Sequence, residues 1–160
     1  DPRKAVSEAE GVFIGGGNTF VLLRDLYEYN LIETLRGRIH DGMPYMGTSA
    51  GSNVAGLTVG TSNDMPIVQP ASLDALGVVP FNINPHFPTA PPDPTHKGET
   101  REDRIREFHF FNDQPVVAIH EDGTLRIEGA DVTLVGQRPA RVFRPEVDVE
   151  TIPTGPISSI

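Results

Sequence analysis

The feature that most constrains this chain is a short stretch around Ser49. Residues 47–51 read Gly-Thr-Ser-Ala-Gly and fit the pattern G-x-S-x-G. The apolar residues 44–46 before it predict a buried strand, and the small residues 50–56 after it can open a helix. In that setting the pattern predicts a nucleophile elbow, a strained turn that exposes the serine hydroxyl and turns the N–H of Ala50 toward an oxyanion. The alternative is a glycine-rich turn without chemistry.

Strands and helices alternate along the chain, which predicts an α/β fold with a mainly parallel sheet. Helices are predicted over residues 1–8, 20–29 and 31–40, and a capping-box pattern at Thr100 predicts another. Several polar or glycine-rich groups follow predicted strands, and in such sheets ligands bind beyond the carboxyl ends of the strands. These groups are 15–18, Ser49, His86 and His120 with Glu121. The predicted strands are 11–14, 44–46, 81–84, 116–119, 124–128, 131–134 and 140–144, the last three forming an antiparallel tail.

Charge and cysteine content exclude several classes of function. The chain of 160 residues has 13 basic and 22 acidic residues, a balance that argues against nucleic acid or an anionic membrane as partner. It has no cysteine, so a thiol nucleophile, a disulfide framework and a cysteine-based metal site are excluded, and a cytoplasmic location is compatible. No apolar run approaches the ~20 residues of a membrane span. We expect one domain over residues 1–150 and a polar tail over 151–160.

A nucleophilic serine needs a base, and the chain offers five histidines. His86 directly follows a predicted strand and is the favoured base. His120 also follows a strand but has an acidic neighbour. His40 and His109 belong to helices, and His96 belongs to a proline-rich loop.

The acid that would orient this base stays open between Glu121, Asp122 and Asp64. Glu121 is at a strand end on the same predicted sheet edge as His86, and Asp64 is in the loop soon after the elbow. The triplet formed by residues 15–17 has two interpretations, since its N–H groups could stabilise an oxyanion or cradle a phosphate.

Five blocks of sequence, taken together and in order, resemble peptidase E, the α-aspartyl dipeptidase family of serine peptidases. Two of them are the glycine-rich and serine-containing segments 15–20 and 47–51. The others are Asn63-Asp64-Met65-Pro66-Ile67-Val68, Asn84-Pro85-His86-Phe87 and the segment 96–107, which begins His96-Lys97-Gly98-Glu99. The resemblance covers roughly residues 11–123.

The resemblance implies a three-layer α/β/α fold like that of class I glutamine amidotransferases, with serine in place of their elbow cysteine. It implies hydrolysis of dipeptides that carry an N-terminal aspartate, without a metal or a cofactor. It also implies an N-terminal portion of strands and helices, on the order of 60–70 residues, that this sequence does not contain. We therefore expect exposed apolar sheet surface.

Carried over residue by residue, the resemblance assigns Ser49 as nucleophile and His86 as base. Glu121 matches the acid of a Ser-His-Glu triad, whereas Asp64 matches a residue also described as the charge-relay acid, so two candidates remain.

The oxyanion hole is expected from the N–H of Ala50 together with that of Gly16 or Gly17, of which Gly17 matches the family's oxyanion glycine.

Substrate recognition would need a cation for the aspartate side chain and an acid for the free amine. Arg101, in a basic context with His96, is the candidate cation, because arginine can hold a carboxylate through two hydrogen bonds. Asp64 or Glu99 could bind the amine. Asn18 completes the predicted substrate-binding residues.

Two other functions remain open. One is a cyanophycinase-like serine hydrolase of aspartyl polymers, and the other is a non-catalytic α/β module that binds an anion at the triplet and the elbow. The expected partner is a small peptide, and a homodimer is compatible with the sequence.

Overall fold

The structure is a computed structural model that describes residues 1–90, 95, 97–158 and 160. It divides into two compact units, Asp1–Asn82 and Ile83–Ile160, which are described separately. Both combine helices with strands, so the predicted α/β class is confirmed at that level. The expectation of a single domain over 1–150 stays a prediction.

The first unit contains four helices and a pair of parallel strands. The strands are β1 (Val12–Ile14) and β2 (Tyr45–Gly47), and Phe13 lies opposite Met46 in their register. The side chains of Phe13 and Met46 are 63% and 64% exposed, which is the exposed apolar sheet surface expected from the sequence. The helices are α1 (Pro2–Glu8), α2 (Thr19–Glu28), α3 (Ile32–His40) and α4 (Ala50–Ala55).

Local sequence explains where these helices begin. The side chain of Asp1 caps α1, and proline occupies the first helical position, where its missing N–H costs nothing. The side chain of Asn18 caps α2. The apolar faces of α2, α3 and α4 then close one core with residues 59–76, formed by Leu23, Leu26, Ile32, Leu35, Met43, Val54, Val59, Ala75 and Leu76.

The strands that the structure describes in the second unit form two sheets. Strand β3 (Asn82–Asn84), whose first residue ends the first unit, begins a four-stranded sheet in the order β3-β4-β7-β8. A three-stranded antiparallel sheet has the order β5-β6-β9. The strands are β4 (Val116–Ala118), β5 (Thr124–Glu128), β6 (Asp131–Val135), β7 (Ala140–Phe143), β8 (Glu150–Ile152) and β9 (Gly155–Ile157).

Helix α5 (Arg101–Phe108) begins where the capping-box pattern predicted. The hydroxyl of Thr100 accepts from the N–H of Asp103, and the Asp103 carboxylate accepts from the N–H and the hydroxyl of Thr100. These hydrogen bonds from Thr100 lower the pKa of Asp103. Ile105 is the buried anchor of this helix.

Residues 151–160, expected from the sequence to be a polar tail, contribute to two strands. Strand β8 pairs with β7 and strand β9 pairs with β6, so this segment adds an edge to each sheet. Three residues are too few to show the alternation of apolar and polar side chains that predicts a strand. Pro156, within β9, also argues against a strand unless that strand lies at the edge of a sheet. The antiparallel pairing predicted for the C-terminal strands is confirmed for β5 with β6. Strand β7, predicted in the same tail, pairs antiparallel with β4 and β8 in the other sheet. Within the described part of the chain, no helix is long and apolar enough to cross a membrane.

Candidate active site

Ser49 occupies a strained turn between β2 and α4. Its backbone has φ 54° and ψ −111°, a conformation that favours glycine and that other residues adopt only when their surroundings impose it. Its carbonyl accepts from the N–H groups of Ser52 and Asn53, while its hydroxyl makes no capping hydrogen bond to α4. The side chain is half-buried. The local geometry is that of the predicted elbow.

Close backbone packing around the turn explains the two glycines of the pattern. A Cβ atom at Gly51 would collide with the carbonyl oxygen of Ile14 in β1, and one at Gly47 would lie 2.5 Å from the carbonyl oxygen of Gly51. The N–H of Thr48 donates to the same Ile14 carbonyl at 3.0 Å. The start of α4 is therefore pressed against β1, which leaves the backbone at Ser49 little room to relax.

The triplet 15–17 lies beside Ser49. The carbonyl of Gly15 accepts from the N–H of Gly51 at 3.3 Å, and a Cβ atom at Gly16 would lie 3.3 Å from Cβ of Ser49. Gly17 has φ 135°, which only glycine adopts readily. Within Asp1–Asn82 neither Gly16 nor Gly17 donates its N–H to another group.

Ala50 is the first residue of α4, and the N–H groups of the first helical turn have no acceptor within their own helix. Three N–H donors, those of Gly16, Gly17 and Ala50, are thus available near the serine.

Tyr45 supports the elbow in a way that the sequence did not indicate. Its hydroxyl donates to the carbonyl of Gly51 at 2.5 Å and so ties strand β2 to the first turn of α4. Burial raises the pKa of the Tyr45 phenol, which keeps its proton on this hydrogen bond. A tyrosine four residues before the serine carries no pattern that would have predicted the contact.

In the second unit, His86 and Glu121 form a hydrogen-bonded pair. Nδ1 of His86 lies 2.7 Å from Oε1 of Glu121, and both side chains are exposed. A carboxylate at Nδ1 holds the proton on that nitrogen and leaves Nε2 able to accept another. Of the three acids that the sequence left open, Glu121 is the one in contact with His86.

The backbone at His86 is bulged. The N–H of Ile119, the residue after β4, donates to the carbonyl of Asn84, and the carbonyl of Ile119 accepts from the N–H of Phe87. These two partners, Asn84 and Phe87, are three residues apart, whereas in a regular strand pairing they would be two residues apart. The extra residue belongs to the Pro85-His86 turn, where His86 has φ 59°. Such bulges occur often beside active sites because they redirect a side chain.

Arg101, the predicted cation for a substrate carboxylate, contacts this bulge. Its Nη1 donates to the carbonyl of Pro85 at 2.9 Å, and the side chain is partly buried. The residue before His86 is thereby anchored to the first turn of α5.

Asp122 and His120 contact other parts of the second unit. The Asp122 carboxylate accepts from the N–H of Gln137 and from the guanidinium of Arg138. Desolvation acts to raise the pKa of Asp122, but these hydrogen bonds outweigh it and the pKa is lowered. His120 donates from Nδ1 to the carbonyl of Phe87 at 2.7 Å.

In the first unit, two hydrogen bonds connect the segment at Asp64 with the segment at Asn18. Oδ2 of Asp64 accepts from the N–H of Thr19 at 2.7 Å, and Nδ2 of Asn18 donates to the carbonyl of Met65 at 2.8 Å. Both contacts lie at the start of α2, directly after the glycine triplet. Asp64 is therefore engaged with the backbone of a helix end.

Glu99 and His96 are the two remaining predicted substrate-binding residues. Glu99 is exposed and lies 3.8 Å from Arg104. His96 lies outside the described residues. Among the side chains that the structure describes, no group of three or more His, Cys, Asp or Glu is arranged to hold a metal ion.

Comparison with known sequences identifies relatives across most of the chain. The model of Peptidase family S51 matches residues 1–135. A peptidase E of Streptomyces coelicolor is 52% identical over 144 residues, covering 90% of this chain and 59% of the relative. A Drosophila melanogaster protein named as a probable α-aspartyl dipeptidase is 44% identical over 153 residues, covering 95% of this chain and 64% of the relative. This chain thus spans about three-fifths of these proteins.

A solved structure shares the fold. The crystal structure of a peptidase from an acI-B1 actinobacterium superimposes with a TM-score of 0.69 at 18% identity, and the match covers 98% of this chain and 62% of that one.

Proposed function

The chain belongs to peptidase family S51, and on that premise we propose that it is a serine-type dipeptidase that hydrolyses dipeptides with an N-terminal aspartate. The observation that carries this proposal is the backbone of Ser49, held at φ 54° between β2 and α4 by packing that excludes any side chain at Gly51. Strain maintained at a residue with a nucleophilic side chain is typical of a catalytic turn. The names of the relatives support the substrate class.

The proposed reaction proceeds through an acyl-enzyme. Ser49 Oγ attacks the peptide carbonyl while Nε2 of His86 takes its proton, and the collapse of the tetrahedral intermediate breaks the C–N bond as His86 returns the proton to the departing amine. Water then attacks the ester by the same route and releases aspartate. The contact between Glu121 and Nδ1 of His86 supports Glu121 as the third member, because it would fix the tautomer and stabilise the imidazolium.

The oxyanion would be stabilised by the N–H of Ala50 and that of Gly16 or Gly17. Their position beside Ser49 and their lack of partners within Asp1–Asn82 support this assignment. A single oxyanion donor is typically worth about 10²–10³ in rate.

The proposed fold of the whole domain is a three-layer α/β/α arrangement like that of class I glutamine amidotransferases. The parallel β1–β2 pair, followed by a strand-turn-helix at Ser49, supports it. A cytoplasmic location and a homodimer stay predictions.

Arg101 is proposed to bind the aspartate side chain of the substrate, and Glu99 or Asp64 its free amine. His96 and Asn18 are the other proposed substrate-binding residues. Its bond to Pro85 offers a second role, the support of the His86 bulge. Replacing Arg101 by Ala separates the two roles. Loss confined to Asp-X substrates, with neutral esters still cleaved, supports recognition; equal loss on all substrates contradicts it and supports the structural role.

The experiment that tests the proposed function is hydrolysis of Asp-Leu and Leu-Leu by this chain and by Ser49→Ala. We expect turnover of Asp-Leu that disappears in the variant, and little turnover of Leu-Leu. An aspartate-arginine polymer serves as a third substrate, and its preferential cleavage would favour a cyanophycinase-like enzyme. Absence of all three activities in the unchanged chain contradicts the proposal and favours an anion-binding module.

A further inference from the structure

Asp64 is placed to act on the backbone that follows the glycine triplet. Its Oδ2 accepts from the N–H of Thr19, the first residue of α2, at 2.7 Å, and its own N–H is held by the hydroxyl of Ser62. A carboxylate is favoured at the positive end of a helix, where it satisfies an N–H that has no partner inside the helix. The side chain is half-buried, so this bond is partly shielded from water.

Asn18 joins the same two segments through a second contact. Its Oδ1 accepts from the N–H groups of Phe20 and Val21, both at 3.1 Å, while its Nδ2 donates to the carbonyl of Met65 at 2.8 Å. Residues 18–19 and 64–65 are therefore connected by two adjacent hydrogen bonds. We name this pair of contacts the 18–65 clamp.

Helix α4 is joined to the clamp by a further hydrogen bond. Nδ2 of Asn53 donates to the hydroxyl of Thr19 at 3.0 Å, and both side chains are buried. The clamp is thus fixed to the helix that begins at Ser49. All of these residues belong to the first unit.

Three consecutive glycines would be poorly ordered without fixed ends, because glycine restricts its own backbone less than any other residue. The first end of the triplet is held by β1 and by the bond from Gly51 to Gly15. The second end is held by the 18–65 clamp. Between these two points lie Gly16 and Gly17, whose N–H groups have no acceptor in the first unit.

We propose that Asp64 is a positioning residue for the oxyanion loop 15–17, acting through Thr19. This inference rests on the proposed function for its kinetic consequences. Its structural part, that Asp64 holds Gly16 and Gly17 in place, does not depend on the reaction. A positioning role needs a hydrogen-bond acceptor at residue 64, whereas a charge-relay role needs a negative charge.

The matched variants are Asp64→Asn, which keeps an acceptor, Asp64→Ala, which removes it, and Glu121→Gln in the second unit. For Asp-Leu hydrolysis we expect Asp64→Asn to lower kcat by about threefold to tenfold. Asp64→Ala should lower kcat by about 10²-fold or more, the size of losing an oxyanion donor, with KM and the pH profile of kcat little changed. Glu121→Gln should lower kcat by about 10⁴-fold, as expected for the orienting acid. A fall of about 10⁴-fold in Asp64→Asn would overturn the inference.

A second readout works without turnover. In ¹⁵N-labelled protein, the amide signals of Gly16 and Gly17 should shift or broaden in Asp64→Ala and stay near their original positions in Asp64→Asn and Glu121→Gln. Unchanged signals in Asp64→Ala would overturn the inference even if the chain is an active dipeptidase, and shifted signals support it even if the chain hydrolyses nothing.

Asn18→Asp is the second variant in case Asp64→Ala does not fold. It keeps the cap of α2 and removes the donor to Met65, so the signals of Gly16 and Gly17 should again move. If they do not, the clamp does not position the loop.

Discussion

Ser49 and His86, the two residues proposed to exchange a proton, both have a backbone in the left-handed region. For residues other than glycine this conformation costs on the order of 1–3 kcal/mol and persists only where the surroundings impose it. The causes differ between the two. At Ser49 the constraint is the packing of α4 against β1; at His86 it is a one-residue bulge beside Ile119, held by Arg101.

Tyr45 gives a prediction at the scale of one hydroxyl. Because burial raises the pKa of its phenol, the unfolded chain releases this proton first as the pH rises above about 10. The unfolded state then binds fewer protons than the native state, so the free energy of unfolding falls with pH. At pH 8 we expect the free energy of unfolding of Tyr45→Phe to be about 1 kcal/mol below that of the unchanged chain, because the hydrogen bond to Gly51 is missing. Between pH 8 and 10.5 the free energy of unfolding should fall less in Tyr45→Phe than in the unchanged chain.

Urea unfolding at the two pH values measures this difference, and the remaining tyrosines and the lysines contribute equally to both proteins. Parallel pH dependences for Tyr45→Phe and the unchanged chain would contradict the burial of a neutral phenol at this position.

At the scale of elements, the close contact between α4 and β1 predicts a contrast between two helical glycines. Gly51→Ala should destabilise the chain by about 3 kcal/mol or more, because its Cβ would meet the carbonyl of Ile14, which is backbone and cannot move aside alone. Gly37→Ala in α3 is the matched control. Nothing lies within 4 Å of its Cβ, so it should be neutral or stabilise by about 0.5–1 kcal/mol.

The free energy of unfolding in urea distinguishes these two substitutions. Equal stability of Gly51→Ala and Gly37→Ala would show that the elbow is not packed as described.

Elements with strong local signals were predictable from sequence. The strand-turn-helix at Ser49 follows from an apolar run and small residues, and α5 begins at a complete capping box. Strands β8 and β9 were not predictable, because each has three residues and their formation depends on partners far along the chain. Pro156 is tolerated since β9 lies at the edge of the order β5-β6-β9.

At the scale of the whole molecule, the sequence could nominate site residues but could not choose between Glu121 and Asp64. Both are acids in loops of plausible position, and spacing along the chain does not reveal which nitrogen or N–H each one meets. The contact of Glu121 with His86 and that of Asp64 with Thr19 are long-range, and only the folded backbone makes them. Arg101 is similar, since its bond to Pro85 has no sequence signature.

The measurement that tests the central claim most directly is the labelling of Ser49 by a serine-directed phosphonate, followed by intact and peptide mass spectrometry. The proposed mechanism predicts one adduct on Ser49 in the unchanged chain, none in Ser49→Ala, and labelling at least about 10²-fold slower in Glu121→Gln because the histidine loses its orienting carboxylate. An unlabelled chain, or an adduct on another serine that persists in Ser49→Ala, would contradict the claim that Ser49 is an activated nucleophile.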